Sequence, residues 1–304
     1  MTIQQLQYVV AVDEHRHFQK AAAACFVTPA ALSIMLKRLE EELGVVIFDR
    51  SRQPVIPTEM GVIVIRNARE ILSGVRKMEQ EVKYSPGTDI RGELRIGVIP
   101  TLAPYLLHLF VPGLLAKYPD LKIQLKELHT QTILDQLQHD LLDVGLMALQ
   151  PELQGLKVRS LFRERLLVFV SENETSLNHR FLFPGDIDVE RLWLLEEEHC
   201  LRSQVMNLCS LKKNAEEHAR MQFDAGSIET LMNIVEGSGG ITVIPELATL
   251  QFTAARKQQV RYFAPPEPVR EIGMVTYRHF VKEKLLDILQ EEIQAAVTPL
   301  VQRT

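Results

Sequence analysis

Two of the chain's three cysteines, Cys200 and Cys209, lie nine positions apart in the stretch HCLRSQVMNLC. The first stands where a helix is expected to begin, and the positive end of a helix dipole favours the reactive thiolate form of cysteine. Free cysteines are nevertheless commonly buried and inert. The residues alone therefore leave two interpretations open: a reactive pair of thiols, or two inert thiols that lie close in the chain.

The same stretch is a poor candidate for a metal site. A zinc site built from His199, Cys200, Cys209 and His218 would lack the closely spaced ligand pairs that such sites use. Three cysteines in 304 residues also do not make a disulfide framework. The sequence therefore predicts no bound metal and no cofactor.

The composition is typical of a globular protein without a membrane partner. The chain is 46% hydrophobic and 24% charged, and no apolar run approaches the ~20 residues of a membrane-spanning helix. The N-terminal segment lacks the basic start and apolar run of a signal peptide, so a cytoplasmic location is predicted. The net charge is −5, and residues 1–91 hold 12 Lys and Arg against 11 Asp and Glu. A nucleic-acid function must therefore rest on a motif rather than on charge.

The first 57 residues have the pattern of three helices followed by two short strands. In the third helix, Thr28 suits the N-cap, Pro29 the first helical position and Gly44 the C-terminal cap. Its leucines, including Leu43, recur on one face, as in the helix of a helix-turn-helix that enters the major groove. The alternative is a small helical domain with an ordinary charged face. The candidate DNA contacts on this helix and in the following hairpin, or wing, are Thr28, Ser33, Lys37, Arg38, Arg50 and Arg52.

A long helix follows, from residue 59 to residue 84, and then a linker over 85–92 that is rich in Ser, Pro, Gly and Asp. One face of the helix carries an apolar stripe that is roughly of coiled-coil type, and we expect it to pack on a second subunit. The members of the stripe are Ile65, Ala68, Leu72, Val75 and Val82.

From Glu93 onward, strand patterns alternate with helix patterns, which indicates α/β organisation. The apolar stretch RLWLL, over 191–195, is predicted to be one of the strands. A change of strand partner near 161–166, with a return near 263–270, would produce two lobes joined by two crossings.

The motifs resemble the LysR-type transcriptional regulators over essentially the whole chain. The resemblance is carried by FQKAAAACFVTPAALSIMLKRLEEELGVVIFDRS, GELRIGVIPTLAPYLL and IVEGSGGITVIPELA. It implies a transcription factor rather than an enzyme. Such a factor binds double-stranded DNA, dimerises through its linker helix and forms a tetramer. Pro29 and Met35 depart from the family pattern, which often has glutamine there, and neither side chain can donate a hydrogen bond to a base.

Within this family, HCLRSQVMNLC resembles the peroxide-sensing members, in which a His-Cys-Leu-Arg stretch carries the reactive cysteine. The resemblance implies that hydrogen peroxide oxidises Cys200 and that Cys209 then forms a disulfide with it. It further implies reduction by a cellular dithiol and activation of antioxidant genes. Ser203 departs from the pattern, since these sensors often have aspartate there. The peroxide-pocket residues that the resemblance implies are Thr101, Thr130, His199 and Arg270.

Three other functions remain as alternatives. A LysR-type regulator that binds a small metabolite between its lobes would have the same fold, and only the cysteine stretch separates it from a peroxide sensor. A thiol peroxidase is disfavoured by the helix-turn-helix. A transport-type solute-binding protein is disfavoured by the N-terminal helices.

A helix spanning both cysteines would hold them apart. Nine helical residues rise about 13.5 Å, whereas a disulfide needs Cα atoms roughly 4.4–6.8 Å apart. Formation of the bond is therefore expected to melt the helix, and this melting is the predicted switch.

The complete prediction is an α/β protein with an N-terminal winged helix-turn-helix, a long linker helix and a two-lobed effector domain like a periplasmic binding protein. The predicted bounds are 1–59 for the DNA-binding domain, 60–91 for the dimerising linker helix and hinge, and 92–304 for the redox-sensing effector domain. Lobe I is expected to comprise about 92–163 and 267–304, and lobe II about 164–266.

Overall fold

The computed structural model describes residues 1–83, 92–150, 153, 155–172, 181–208, 225–277 and 283–301. They belong to two compact units, Met1–Thr88 and Asp89–Thr304, and each unit has its own hydrophobic core. The elements of the first unit are α1 (Ile3–His15), α2 (Phe18–Ala24), α3 (Pro29–Leu43), β1 (Phe48–Asp49), β2 (Ile56–Pro57) and α4 (Glu59–Lys83).

The first unit is a winged helix-turn-helix, as predicted. The hydroxyl oxygen of Thr28 accepts a hydrogen bond from the backbone N–H of Ala31 and so caps α3. At the other end, Gly44 adopts the left-handed backbone that ends many helices. Leu43 is exposed, so the buried leucine face is one residue shorter than expected. β1 and β2 pair antiparallel to form the wing.

The prediction for the apolar stripe of α4 is wrong for its first half. Ile65, Ala68 and Leu72 are buried in the core of the same unit, where α4 packs along α1. Val75 is half-buried, and the side chain of Val82 lies outside the described part of the structure. The sequence pattern identifies an apolar face correctly, but α1 already covers the part nearest the helix-turn-helix.

A different set of apolar side chains on α4 is exposed. Ile63, Ile71 and Met78 recur at spacings of eight and seven residues, which places them within about 80° of one another on one face of the helix, here called the exposed line. Within the described residues of the first unit, this line is not covered by the unit's own core.

Gly61 permits α4 to start close against the wing. A Cβ atom at this position would lie 2.0 Å from the carbonyl oxygen of Ile47, which is too close for any other residue. That carbonyl also accepts a hydrogen bond from the backbone N–H of Thr58. The first turn of α4 and the start of the wing are therefore held together by backbone contacts.

The second unit is built on one mixed sheet of eight strands in the order β4–β3–β5–β10–β6–β9–β7, with β8 paired to β6. β3, β4 and β5 run parallel, whereas β10 is antiparallel to both β5 and β6. The elements are β3 (Gly92–Val98), α5 (Ala103–Lys117), β4 (Leu121–Glu127), α6 (Thr130–Gln138), β5 (Val144–Ala148), β6 (Leu156–Val170), β7 (Phe181–Leu182), α7 (Cys200–Leu208), α8 (Ile228–Ser238), β8 (Ile241–Pro245), α9 (Ala254–Gln258), β9 (Val260–Phe263), β10 (Val269–Tyr277) and α10 (Glu283–Val297).

β6 belongs to both lobes of this sheet. Over its first part it pairs with β10, up to Arg165 opposite Val269, and from Leu166 onward it pairs with β8 and then β9. The chain therefore passes from one lobe to the other within a single continuous strand, and the two-lobed α/β fold is confirmed.

The strand predicted at 191–195 does not form. Arg191 ends a short 3₁₀ turn, and only isolated bridges link Leu192 to Ile241 and Leu195 to Ala225. The apolar residues are there for burial rather than for pairing along a strand. Sequence reasoning also missed β7, β9 and α9, which are all five residues long or shorter.

Among the described residues, no single helix is long and apolar enough to cross a membrane. α2 and α3 meet such a test together, by length and composition alone, but they are bent by 100° relative to each other.

Candidate functional site

Thr101 and Thr130 follow two neighbouring parallel strands at the same edge of the sheet. Val98 at the end of β3 is opposite Glu127 at the end of β4, and each threonine lies three residues further on. In open α/β sheets this carboxyl edge is where ligands bind. Neither threonine is the N-cap of the helix that follows, because those positions belong to Leu102 and His129.

Thr101 is buried and held by Arg270. The guanidinium group donates from Nη1 to Oγ1 of Thr101 and from Nη2 to its carbonyl oxygen, each over 3.0 Å. Arg270 lies at the start of β10, whose neighbour β5 ends at the same edge of the sheet. The structure thus brings together two of the four predicted pocket residues.

The positive charge of Arg270 is balanced by a carboxylate that the sequence analysis did not single out. Nε of Arg270 donates to Oε1 of Glu164 over 2.8 Å, and both side chains are almost fully buried. The second carboxylate oxygen, Oε2, accepts the backbone N–H of Leu247 over 3.1 Å. A buried charge pair is tolerated when its remaining atoms are also bonded, and this one meets that condition.

The hydroxyl of Thr130 has no hydrogen-bond partner among the described residues, although its oxygen atom is buried. Buried hydroxyl groups in proteins are nearly always hydrogen-bonded. A small polar molecule at this edge of the sheet would therefore find an available donor and acceptor.

Cys200 is the first residue of α7, and it is a free, buried thiol. The segment before it is fixed by hydrogen bonds. Nη1 of Arg202 donates to the carbonyl oxygen of Leu195 over 2.7 Å, and the N–H of His199 donates to the carbonyl oxygen of Glu196. Arg202 therefore holds the approach to the helix. Cys209, its predicted partner, lies outside the described residues.

Two residues of α7 anchor it in the hydrophobic core. Leu201 and Val205 are both buried, four positions apart on one face of the helix. The described helix spans nine residues, so these two side chains represent most of its apolar attachment.

His199 is buried beside His129, a residue that sequence reasoning missed. Their rings are edge to face with centroids 4.8 Å apart. Nε2 of His199 also lies 3.4 Å from Oε1 of Glu196, without hydrogen-bond geometry. Burial lowers the pKa of the His199 imidazole, and His129 acts in the same direction while Glu196 opposes it.

The contact between the two histidines links the remaining pocket residues. His199 precedes Cys200, and His129 precedes Thr130, so the start of α7 meets the start of α6. His129 and His199 are 70 positions apart in the sequence, and no spacing rule connects them. The sequence offered one indication that His129 belongs to the site, which is its position just after a predicted strand, at the carboxyl edge of the sheet.

In the first unit, Lys37 and Arg38 are exposed on α3, as predicted. Nζ of Lys37 lies 3.8 Å from the carboxylate of Glu41, a solvent-exposed pair that stabilises the helix little. In the wing, Arg52 is also exposed, and its Nε lies 3.6 Å from the carboxylate of Asp49. These cations remain accessible to a partner.

Arg50 has a structural set of contacts instead. Its guanidinium donates to Oγ of Ser33 and to Oε2 of Glu40, over 3.1 and 2.8 Å, and lies over the ring of Phe18. The other oxygen of Glu40 accepts the backbone N–H of Ile47 at the start of the wing. Arg50 and Ser33 therefore connect α3 to the wing.

The third cysteine, Cys25, ends α2 and is half-buried. Burial raises the pKa of its thiol, and the charge of Glu14 adds to that effect. A raised thiol pKa reduces the thiolate fraction, so we expect this cysteine to be inert.

Comparisons with known proteins assign both units. Residues 3–62 match the family described as "Bacterial regulatory helix-turn-helix protein, lysR family", and residues 87–296 match the LysR substrate binding domain. The chain belongs to the LysR family. Members of this family are transcriptional regulators, and the helix-turn-helix is their DNA-binding part.

Similar LysR proteins include named peroxide regulators. The chain is 36% identical to the hydrogen peroxide-inducible genes activator of Haemophilus influenzae over 277 residues, 90% of each sequence. It is 37% identical to the dual regulator OxyR of Escherichia coli K12, over 90% of this chain and 89% of the relative. A solved full-length OxyR variant from Pseudomonas aeruginosa superposes with a TM-score of 0.79 and 26% identity, covering 97% of this chain and 98% of the other.

Proposed function

We propose that this LysR-family protein is a hydrogen-peroxide-sensing transcription factor. The observation that carries the proposal is Cys200, a buried free thiol at the first residue of α7. The start of α7 meets the start of α6, where the hydroxyl of Thr130 has no hydrogen-bond partner in the described part of the chain. The relatives that are named hydrogen peroxide-inducible activators and OxyR support it.

The proposed chemistry uses the residues around the start of α7. The thiolate of Cys200 attacks one oxygen of hydrogen peroxide, the O–O bond breaks, and the sulfur becomes a sulfenic acid. The departing hydroxide takes up a proton and leaves as water. Thr130 and Thr101 are the proposed hydroxyl groups that orient the peroxide, and Arg270 and His199 hold the pocket around them. The thiolate of Cys209 then attacks the sulfenic sulfur and displaces a second hydroxide, which leaves as water.

The disulfide step requires α7 to open. Leu208 is eight residues beyond Cys200 in the helix, so their Cα atoms are separated by about 12 Å along the axis. Consecutive Cα atoms are about 3.8 Å apart. While the helix persists, the Cα atom of Cys209 therefore cannot come closer than about 8 Å to that of Cys200. This exceeds the limit of roughly 6.8 Å for a disulfide. Oxidation is therefore expected to unwind α7 and to release Leu201 and Val205 from the core.

The remaining parts of the proposal concern assembly and location. Lys37, Arg38 and Arg52 are proposed to contact DNA directly, with Thr28 at a phosphate, while Ser33 and Arg50 hold the wing beside them. The exposed line Ile63, Ile71 and Met78 replaces the original stripe as the proposed dimer contact.

We further propose a tetramer in the cytoplasm that a cellular dithiol returns to the reduced state, without turnover as an enzyme. The bounds 1–59, 60–91 and 92–304 are retained for the DNA-binding domain, the linker and the effector domain.

Disulfide mapping tests the central claim. The reduced protein is treated with about one equivalent of hydrogen peroxide, alkylated after defined times and analysed by mass spectrometry. A Cys200–Cys209 bond is expected within seconds, together with two unmodified controls: Cys25 in the same sample, and both remaining thiols in a Cys200→Ser variant. If Cys200 and Cys209 both remain open to alkylation in the treated protein, the sensor function is wrong.

A further inference from the structure

Two histidines and a glutamate from separate parts of the chain meet beside the first turn of α7. His129 precedes α6, and Glu196 and His199 lie in the segment before α7. One donor atom of each residue lies within 4.8 Å of the donor atoms of the other two. Within this cluster, Nε2 of His199 and Oε1 of Glu196 are 3.4 Å apart.

Two ring nitrogens of the cluster are buried without a hydrogen-bond partner among the described residues. They are Nδ1 of His129 and Nε2 of His199, and the His199 side chain is only 1% exposed. Buried polar atoms of this kind are rare in native proteins and commonly mark an ion or a water. The cluster therefore combines converging donors with unused coordination capacity.

We propose that His129, Glu196 and His199 bind a divalent transition-metal ion of the zinc type. Imidazole and carboxylate donors suit such ions. Zinc holds nitrogen and oxygen at about 2.0–2.2 Å, so tetrahedral ligands are about 3.4 Å apart. The His199–Glu196 distance already has this value, and the donor atom of His129 lies within 4.8 Å of both.

The surroundings of the cluster fit such a site. The backbone of Gly226 lies within reach of the His199 ring, and a hydrogen bond there would orient the imidazole as it does in metal sites. In this arrangement the ion joins the start of α6 to the segment that leads into Cys200.

Metal binding at this site stands independently of peroxide sensing, whereas its effect on the sensor rests on the proposed function. An ion held by His129, Glu196 and His199 tethers the approach to α7 in its described position. Because binding to the folded form stabilises it, zinc is expected to slow the opening of α7 and hence disulfide formation.

Zinc alone is the probe for the test. The parent protein is the full-length Cys200→Ser/Cys209→Ser variant, so that neither effector thiol acts as a ligand and oxidation plays no part. Titration calorimetry is expected to give one saturable zinc site that also raises the melting temperature. Affinity is expected to fall by about tenfold or more in His129→Gln and in Glu196→Gln.

Two matched variants control for the chemical change. His139→Gln replaces a histidine at the opposite end of α6, and Glu197→Gln replaces a neighbouring exposed glutamate. Both are expected to bind zinc as the parent does. Absence of saturable binding in the parent, or equal affinity and equal thermal shift in His129→Gln, overturns the proposal. Failure of the peroxide function is read separately, from the oxidation of Cys200 in the unsubstituted protein.

Discussion

Arg270, the second residue of strand β10, donates hydrogen bonds to both the hydroxyl and the carbonyl oxygen of Thr101, each over 3.0 Å. Thr101→Val removes the hydroxyl and leaves Nη1 of the buried Arg270 guanidinium without a partner among the described residues. We expect a loss of about 1–3 kcal/mol in the free energy of unfolding, and slower oxidation of Cys200 by peroxide.

Urea denaturation and stopped-flow oxidation of the same preparations check both effects. Thr101→Ser keeps the hydroxyl and is expected to behave nearly as the parent protein does. Equal stability of the valine and serine variants would mean that the Arg270–Thr101 hydroxyl bond contributes nothing.

Arg270 and Glu164 form a buried ion pair, and removal of one partner leaves the charge of the other buried and unpaired. Arg270→Met is expected to destabilise the second unit by roughly 3–5 kcal/mol. Because Arg270→Met/Glu164→Gln no longer buries a bare charge, it is expected to recover part of that loss in denaturant unfolding.

Arg163→Met is the control, because Arg163 pairs with Glu271 at the surface. Its effect is expected to stay within about 1 kcal/mol. Strict additivity of the Arg270 and Glu164 substitutions would show that the two residues are not coupled.

Oxidation is expected to expose the backbone of α7. Amide exchange over 200–208 is predicted to rise after one equivalent of peroxide, because the helix cannot persist across a Cys200–Cys209 bond. Mass-spectrometric exchange measurements compare oxidised and reduced protein, with α10 as an internal reference whose protection should not change. Unaltered protection of 200–208 in a sample that contains the disulfide would exclude helix opening as the switch.

The proposed DNA contact of Lys37 predicts a distinct dependence of affinity on salt. Lys37→Ala is expected to weaken binding to all DNA sequences similarly, and to reduce the slope of log affinity against log salt by about one. Fluorescence anisotropy over a range of salt concentrations measures this slope. Lys117→Ala, which removes a surface lysine of the second unit, should leave it unchanged. Loss of affinity with an unaltered slope would argue against a phosphate contact.

The two faces of α4 are expected to respond differently to substitution. Ile71→Glu places a charge on the exposed line and should lower the oligomeric state without a large loss of stability. Ile65→Ala creates a cavity in the core of the first unit and should cost about 2–5 kcal/mol while leaving assembly intact. Analytical ultracentrifugation combined with thermal unfolding separates the two outcomes. Retention of the full oligomer by Ile71→Glu would remove this face from the dimer contact.

Local signals in the sequence were enough to predict most of the fold. Thr28, Pro29 and Gly44 mark the ends of α3 because capping depends on adjacent residues. The first half of the α4 stripe packs within its own unit and not on a second subunit, since periodicity identifies an apolar face but not what covers it. RLWLL has the composition of a strand, yet the neighbouring chain pairs with it at single points only.

The site was predictable only where a motif marked it. Cys200 and His199 lie in one recognisable stretch, whereas Glu164 and His129 are joined to the site by contacts across 106 and 70 positions. Such contacts depend on strand register and helix placement, which one sequence does not encode locally. Arg50 illustrates the same limit, since its exposed position in the wing conceals an ion pair with Glu40.

In the proposed sensor, the intact helix between Cys200 and Leu208 delays disulfide formation after the first oxidation. After the first oxidation, the sulfenic acid waits for α7 to open, and during that interval more peroxide drives it toward the irreversible sulfinic acid. The frequency of helix opening therefore decides what fraction of the molecules forms the disulfide and what fraction is lost as sulfinic acid. Leu201 and Val205 bury α7 in the core, so Leu201→Ala or Val205→Ala is expected to speed disulfide formation and to reduce the loss of Cys200 to sulfinic acid.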